Sequence, residues 1–301
     1  SLLAVRWFTT ASDISASSQF PVIAVFAWIV VNAGLPVAVI ASTAPLIQSW
    51  LVQAAVADAR SFRARDAYIM YAVSNGGALL GLLSYPFIIE PNIGLQQQGH
   101  LWQLCFYIYG ALTLLLALTV LITRWSVSVK PSAMHGVALH WALFWFFCSV
   151  LGVALLLATT HVMTRDIASV PLLWILPLAA YLLSFVLTFA APTSYRRIPI
   201  MIGALVSGAM TLALFLGLAE DQGAYLELLI ASAVSFVFFA CSFCHGEAYR
   251  RRPSSGAALP FFYLMLAFGG VVGGVLINLV APVVLADHWE FQLCCLSVFA
   301  F

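Results

Sequence analysis

The stretch from Asp66 to Pro91, DAYIMYAVSNGGALLGLLSYPFIIEP, decides the fold. It opens on a charged edge, crosses an apolar run and closes on Glu90-Pro91. A run of about 20 apolar residues is what a helix needs to span a bilayer core. Ser74, Gly77, Gly81 and Ser84 recur at helical spacing, so one face is small and weakly polar. Helices in lipid gain nothing by hiding apolar surface from one another, and such a face points to close backbone packing. The pattern returns in FFYLMLAFGGVVGGVLINLVAP, residues 261–282, at Ala267, Gly270, Gly274 and Asn278.

Apolar runs of this kind fill the chain. Of its 301 residues 63% are hydrophobic and 8% charged, and the mean hydropathy is +1.05. Soluble domains carry about 25% charged residues, so this chain cannot coat itself with a hydrated surface. The runs are continuous and do not alternate in period two, which excludes a transmembrane barrel. The fold class expected is all-α: a polytopic bundle of about eight or nine membrane helices, residues 1–301 forming one transmembrane domain. The lipid bilayer is its first partner, and a net charge of +1 implies no nucleic acid.

The first helix is expected over about residues 20–52, broken near Gly34-Leu35-Pro36 where proline removes a backbone donor. Further spans follow at about 67–89, 100–123, 138–160, 170–191, 198–218, 224–246 and 258–285, with a ninth starting near Glu290. Residues 1–19 read as the tail of a helix followed by a Ser-rich loop. With Ser1 at one edge and Phe301 inside an apolar run at the other, the chain reads as processed, truncated or partly observed.

Charge orients these spans. Arg60, Arg63 and Arg65 follow the first, Arg124 and Lys130 the third, Arg196 and Arg197 the fifth, and Arg250, Arg251 and Arg252 the seventh. The opposite loops hold Glu90, Asp166, Glu220, Asp221, Asp287 and Glu290, with Arg165 among them. By the positive-inside rule the loops after odd-numbered spans are cytoplasmic. A shift of 193 residues lays Ser74, Gly77 and Gly81 on Ala267, Gly270 and Gly274, so residues 20–123 weakly resemble 224–301. Six spans separate the copies, an even number, and parallel repeats of this sort occur in two-halved transporters.

Several clusters could carry chemistry. Cys241-Ser242-Phe243-Cys244-His245 matches the C-x-x-C-H haem-attachment pattern. It falls at the inner end of a lipid-depth helix beside three arginines, so the match is read as coincidence and no cofactor or metal is expected. The six cysteines sit in or beside apolar spans and read as small buried groups. His245 and Glu247 could shape a cytoplasmic gate or dock a soluble domain; the plainer reading is a solvated helix end. His161, Arg165 and Asp166 could bind an anion, relay a proton or pin an outer connection. Asn75 and Asn278 lie inside spans, where an interhelical hydrogen bond is the default and substrate contact the sharper alternative. Glu90 reads as a solvated interfacial carboxylate. No ionisable residue falls near the middle of a span, where proton-coupled carriers of cations place one, and catalysis by these residues is not expected.

Four stretches carry a family resemblance: YAVSNGGALLGLLSYPFIIEP (71–91), THVMTRDIASVPLLWILPLAAYLLSF (160–185), CHGEAYRRRP (244–253) and FYLMLAFGGVVGGVLINLVAPVV (262–284). Together they resemble the bacterial integral membrane proteins described as fused major-facilitator-like/spermidine-synthase-like proteins. The positions that match are Asn75, Gly76, Glu90, His161, Asp166, Pro171, Trp174, His245, Glu247, Gly269 and Gly270, with no role assigned to any. The resemblance implies a cytoplasmic synthase-like domain, which would lie beyond Phe301. Two functions follow as expectations. The first is transporter-like handling of a small metabolite; the second is a non-transporting scaffold, anchor or accessory subunit of a larger membrane complex.

Overall fold

A computed structural model of the chain describes residues 64–122, 137–164, 173–191, 193, 195–217, 225–253, 258–285 and 289–300, with scattered positions between 27 and 47. The described residues are all-α, with no strand. Among the described residues six helices are long and apolar enough to cross a membrane. Most of the expected first span, its break at Leu35-Pro36, and the charged positions Arg60, Arg63, Arg124, Lys130, Arg165 and Asp166 lie outside the described residues, as do Pro171, Glu220, Asp221 and Asp287.

The helices follow the apolar runs closely. They are α1 (Ala64–Ser84), α2 (Leu95–Ile122), α3 (Leu139–Val162), α4 (Ile175–Ala190), α5 (Arg197–Phe215), α6 (Tyr225–Arg250), α7 (Leu259–Val275) and α8 (Glu290–Ala300). Their ends have local causes. Pro260 occupies the first turn of α7, where its missing N–H is no loss. Gly217 closes α5 at φ 68°, a left-handed conformation that suits glycine, and its N–H bonds to the Leu214 carbonyl.

α1 and α7 end alike. Each runs into a five-residue π turn, Tyr85–Ile89 and Leu276–Val280. Each then makes a short helical turn with proline in its first two positions, Glu90–Asn92 and Ala281–Val284, and stops at an extended residue, Ile93 or Leu285. Pro91 and Pro282 have no N–H to give the carbonyl four residues back, and widening the helix beforehand eases that conflict. At these exits the two segments align at an offset of 191, against 193 at the glycines.

The chain divides into two compact units: 1–63 with 85–128, and 64–84 with 129–301. In the smaller unit α2 has one buried residue, Val120. Tyr109 there shares a hydrogen bond with the Thr43 hydroxyl and reaches the Val39 carbonyl at 3.3 Å.

The larger unit is built round α6, against which α3, α4 and α5 all pack. Phe236, Val237, Ala240 and Cys241 of α6 meet Leu155 and Ala158 of α3, Ile277, and Phe291 of α8 in one apolar core. α3 and α7 run parallel, Phe146 against Gly269 and Val150 against Gly273. A Cβ at Gly273 would stand 2.7 Å from the Val150 carbonyl oxygen, and one at Gly269 would collide with that of Phe146. Only glycine permits this approach.

The tight face of α7 is therefore Gly269 and Gly273, one position before the expected set. Gly270 and Gly274 border it in ordinary contact with Val153 and Leu157, and Ala267 is exposed. On α1 the expected face has turned away. Ser74, Gly77 and Gly81 are exposed, and a Cβ at either glycine would meet nothing within 4 Å. α1 instead packs on α4 through Tyr71, whose ring lies 5.1 Å from Phe185 and 5.8 Å from Phe189. The bulky aromatic face found a partner first. Asn75 and Asn278 likewise satisfy their amides locally, donating to the Tyr71 and Gly274 carbonyls, and among the described residues the expected interhelical bond is not made.

Candidate functional site

The polar chemistry of the larger unit gathers at the end of α6. Ten consecutive residues, Ala240–Tyr249, are buried on every side of that helix. They include His245, 4% exposed, and Glu247, 1% exposed. This corrects the expectation of a solvated helix end: Trp145 of α3, Phe185 and Phe189 of α4, and Tyr195 before α5 enclose it.

A carboxylate stripped of water costs several kcal/mol unless it is paired and hydrogen-bonded, and Glu247 is both. Its Oε1 accepts from the Tyr195 hydroxyl at 2.9 Å and from Arg250 Nη1 at 3.1 Å, and faces Arg197 Nε at 3.6 Å. Its Oε2 accepts from Arg251. Arg250 and Arg251 sit three and four residues on, where helix geometry brings them back over the carboxylate. Tyr195 and Arg197 come from the start of α5 and tie that helix to the end of α6. The Tyr195 ring lies on the backbone of Gly246, where any Cβ would collide with it. Burial first, and the bond to Glu247 second, hold the Tyr195 phenol above its ordinary pKa.

The arginines are only partly hidden, with side-chain exposures of 48% for Arg197, 54% for Arg250 and 32% for Arg251. The Arg251 guanidinium stacks 4.5 Å over Phe144, and its carbonyl accepts from the Trp145 indole N–H at 3.0 Å. α3 is thus fastened to the same end.

His245 sits deeper. Ser184 Oγ donates its single proton to the Tyr181 carbonyl at 2.7 Å, which leaves that oxygen to accept from His245 Nδ1–H at 3.0 Å. The imidazole lies between Phe185 and Tyr181, at centroid distances of 4.2 and 5.1 Å. Cys241 and Cys244 of the C-x-x-C-H match are free thiols inside the same helix, Cys241 Sγ reaching the Gly152 carbonyl at 3.6 Å.

At the other end of α3, His161 Nδ1 lies 3.9 Å from Glu290 Oε1. Glu290, 6% exposed, was not singled out from sequence; nor were Tyr195, Arg197 or Ser184 as site residues. Glu90 is exposed. Trp174, another position carried by the resemblance, is 43% exposed and touches neither cluster. The expected neighbours of His161, Arg165 and Asp166, lie outside the described residues.

The arrangement can fix three helix ends together and display guanidinium groups at that rim. Its carboxylate has spent both oxygens, and its imidazole is held by serine and two aromatic rings. Comparison with known proteins leaves the geometry to speak for itself: no family model, curated protein or solved structure matches this chain.

Proposed function

We propose that this chain is the lipid-embedded scaffold of a bacterial inner-membrane protein, with the arginine-bearing end of α6 facing the cytoplasm. The resemblance to the fused major-facilitator-like/spermidine-synthase-like proteins makes a soluble synthase-like domain the natural load for that rim. The observation that carries the reading is the Glu247 cluster. A fully desolvated carboxylate, satisfied at both oxygens and joined to a continuous apolar core, favours helices that keep one arrangement. Separating α5 from α6 would expose the anion with half its partners gone.

A second reading has its own support. The shared exits of α1 and α7, each a π turn followed by a proline-bearing turn, suit a parallel repeat, and with it a transporter-like part that moves a small metabolite. In that reading the Tyr195–Glu247 contact is a gate.

Distance measurement between spin labels separates the two. Leu139, at the start of α3, and Ile198, at the start of α5, are 73% and 65% exposed and flank the cluster. Labels at Leu139→Cys and Ile198→Cys, in a Cys105→Ser background and in lipid nanodiscs, should give one narrow distance population. It should be unchanged by spermidine as the probe metabolite. Two populations exchanging with the probe would replace the scaffold with the gate.

A further inference from the structure

α5 and α6 leave an open groove of about 310 Å³ along their seam. Gly203, Ser207 and Met210 line it from α5, and Ser232, Ser235 and Phe239 from α6. It is apolar in effect. Ser207 returns its hydroxyl to the Gly203 carbonyl and Ser232 to that of Leu229, so neither offers it to the groove. Gly203 lets the Phe239 ring lie against the α5 backbone, where a Cβ would come within 2.9 Å of it.

Both walls of the groove lead to an arginine. On α6 the line Ser232, Ser235, Phe239, Gly246, Arg250 advances by three, four, seven and four residues along one helical face, which the Tyr195 ring covers at Gly246. On the other wall, Arg196, Gly203, Ser207 and Met210 advance by seven, four and three. At a rise of about 1.5 Å per residue, Arg196 stands roughly 10 Å above Gly203 along the helix. Five arginines, Arg196, Arg197, Arg250, Arg251 and Arg252, lie in the sequence around this rim, three of them paired with Glu247, and Arg196 and Arg250 are exposed. The N-terminus of α5, which begins at Arg197, adds to the same positive field.

We infer that the α5–α6 seam is a binding site for an anionic phospholipid, its phosphate held at Arg196 and Arg250 and an acyl chain laid over Phe239 into the groove along Ser207, Met210 and Ser235. Charge complementarity selects the headgroup. The apolar walls select the chain, and a free phosphate would use only half of the site. The inference is independent of the scaffold reading, since a carrier could hold the same lipid.

Native mass spectrometry of the full chain, released from vesicles of equal phosphatidylglycerol and phosphatidylcholine, tests it. Phosphatidylglycerol should be retained preferentially. Arg196→Gln should lower that retention roughly fivefold, the effect expected for one basic residue at a membrane surface. Ser235→Leu, which fills the groove and leaves the arginines alone, should lower retention of both lipids. Neither residue belongs to the Glu247 cluster, and an unchanged melting temperature in detergent verifies that each variant folds. Equal retention of the two lipids would overturn the proposal. So would retention indifferent to both substitutions, displacement by millimolar inorganic phosphate, or a groove filled by a second copy of the chain, seen as a dimer that Ser235→Leu dissociates.

Discussion

The two ends of the α3–α6–α8 bundle use the same chemistry, a carboxylate beside a base, to unequal effect. At one end Glu247 is wholly desolvated, with Tyr195 and three arginines converging on it. At the other, Glu290 and His161 face each other at 3.9 Å with the imidazole 29% exposed. The residue types barely differ; the contact distances do, 2.9 and 3.1 Å to Glu247 Oε1 against 3.9 Å between His161 and Glu290. Aromatic rings from α3 and α4 close over the end of α6, and the Glu247 carboxylate finds its partners within the protein. The 3.9 Å contact between His161 and Glu290 is longer than a hydrogen bond and carries less weight.

Substitutions that break this contrast can be ranked. Glu247→Ala should cost the most, about 3 kcal/mol in unfolding experiments in bicelles, because charged hydrogen bonds are lost and the arginines left facing each other. Their partial exposure keeps the cost at the lower end for a broken buried cluster. Gly269→Leu comes next, at about 1–3 kcal/mol of overpacking, since a side chain there would displace the Phe146 carbonyl. Should it exceed Glu247→Ala by a wide margin, backbone packing and not the cluster holds the bundle.

Tyr195→Phe should cost about 1 kcal/mol, the worth of one hydrogen bond. Gly246→Ala should reproduce that loss by pushing the ring away, with little further effect when the two are combined. The phenol also has a pH signature. Its pKa is raised by folding, so above the ordinary tyrosine value of about 10 the unfolded chain releases a proton that the folded chain keeps. Stability therefore falls as pH rises past that point, and Tyr195→Phe should flatten the fall. The smallest effect is expected at the other end, where His161→Ala should cost about 0–1 kcal/mol. A loss there comparable with Glu247→Ala would erase the distinction between the ends.

Much of the architecture could be read from residue order, because lipid allows few solutions and apolar run length reports helix length directly. The spans at 138–160, 198–218 and 224–246 lie within a few residues of α3, α5 and α6. Which faces touch was less legible. GGVVGG at residues 269–274 offers two adjacent glycine faces, about 100° apart on a helix, and nothing within the helix chooses between Gly269/Gly273 and Gly270/Gly274. On α1, Tyr71 outweighed the glycines by reaching the Phe185 and Phe189 rings.

The site was half legible. His245 and Glu247 stood out as polar groups near a helix end, but their burial depends on Trp145 and Tyr195, distant in sequence. The one local signal was Gly246 between them, which leaves room for a ring.

The central claim is that the end of α6 stays closed, and its own cysteines can report on it. Cys148, Cys241 and Cys244 are all buried around this end, each about 1% exposed or less, whereas Cys105 is exposed. Membranes containing the natural chain would be treated with a small water-soluble maleimide, and the labelled positions mapped by peptide mass. The account predicts that Cys244 stays unlabelled in the native protein, with or without spermidine, and reacts in Glu247→Ala or after denaturation. Rapid labelling of Cys244 in the native protein would show that the cluster opens, and would contradict the scaffold.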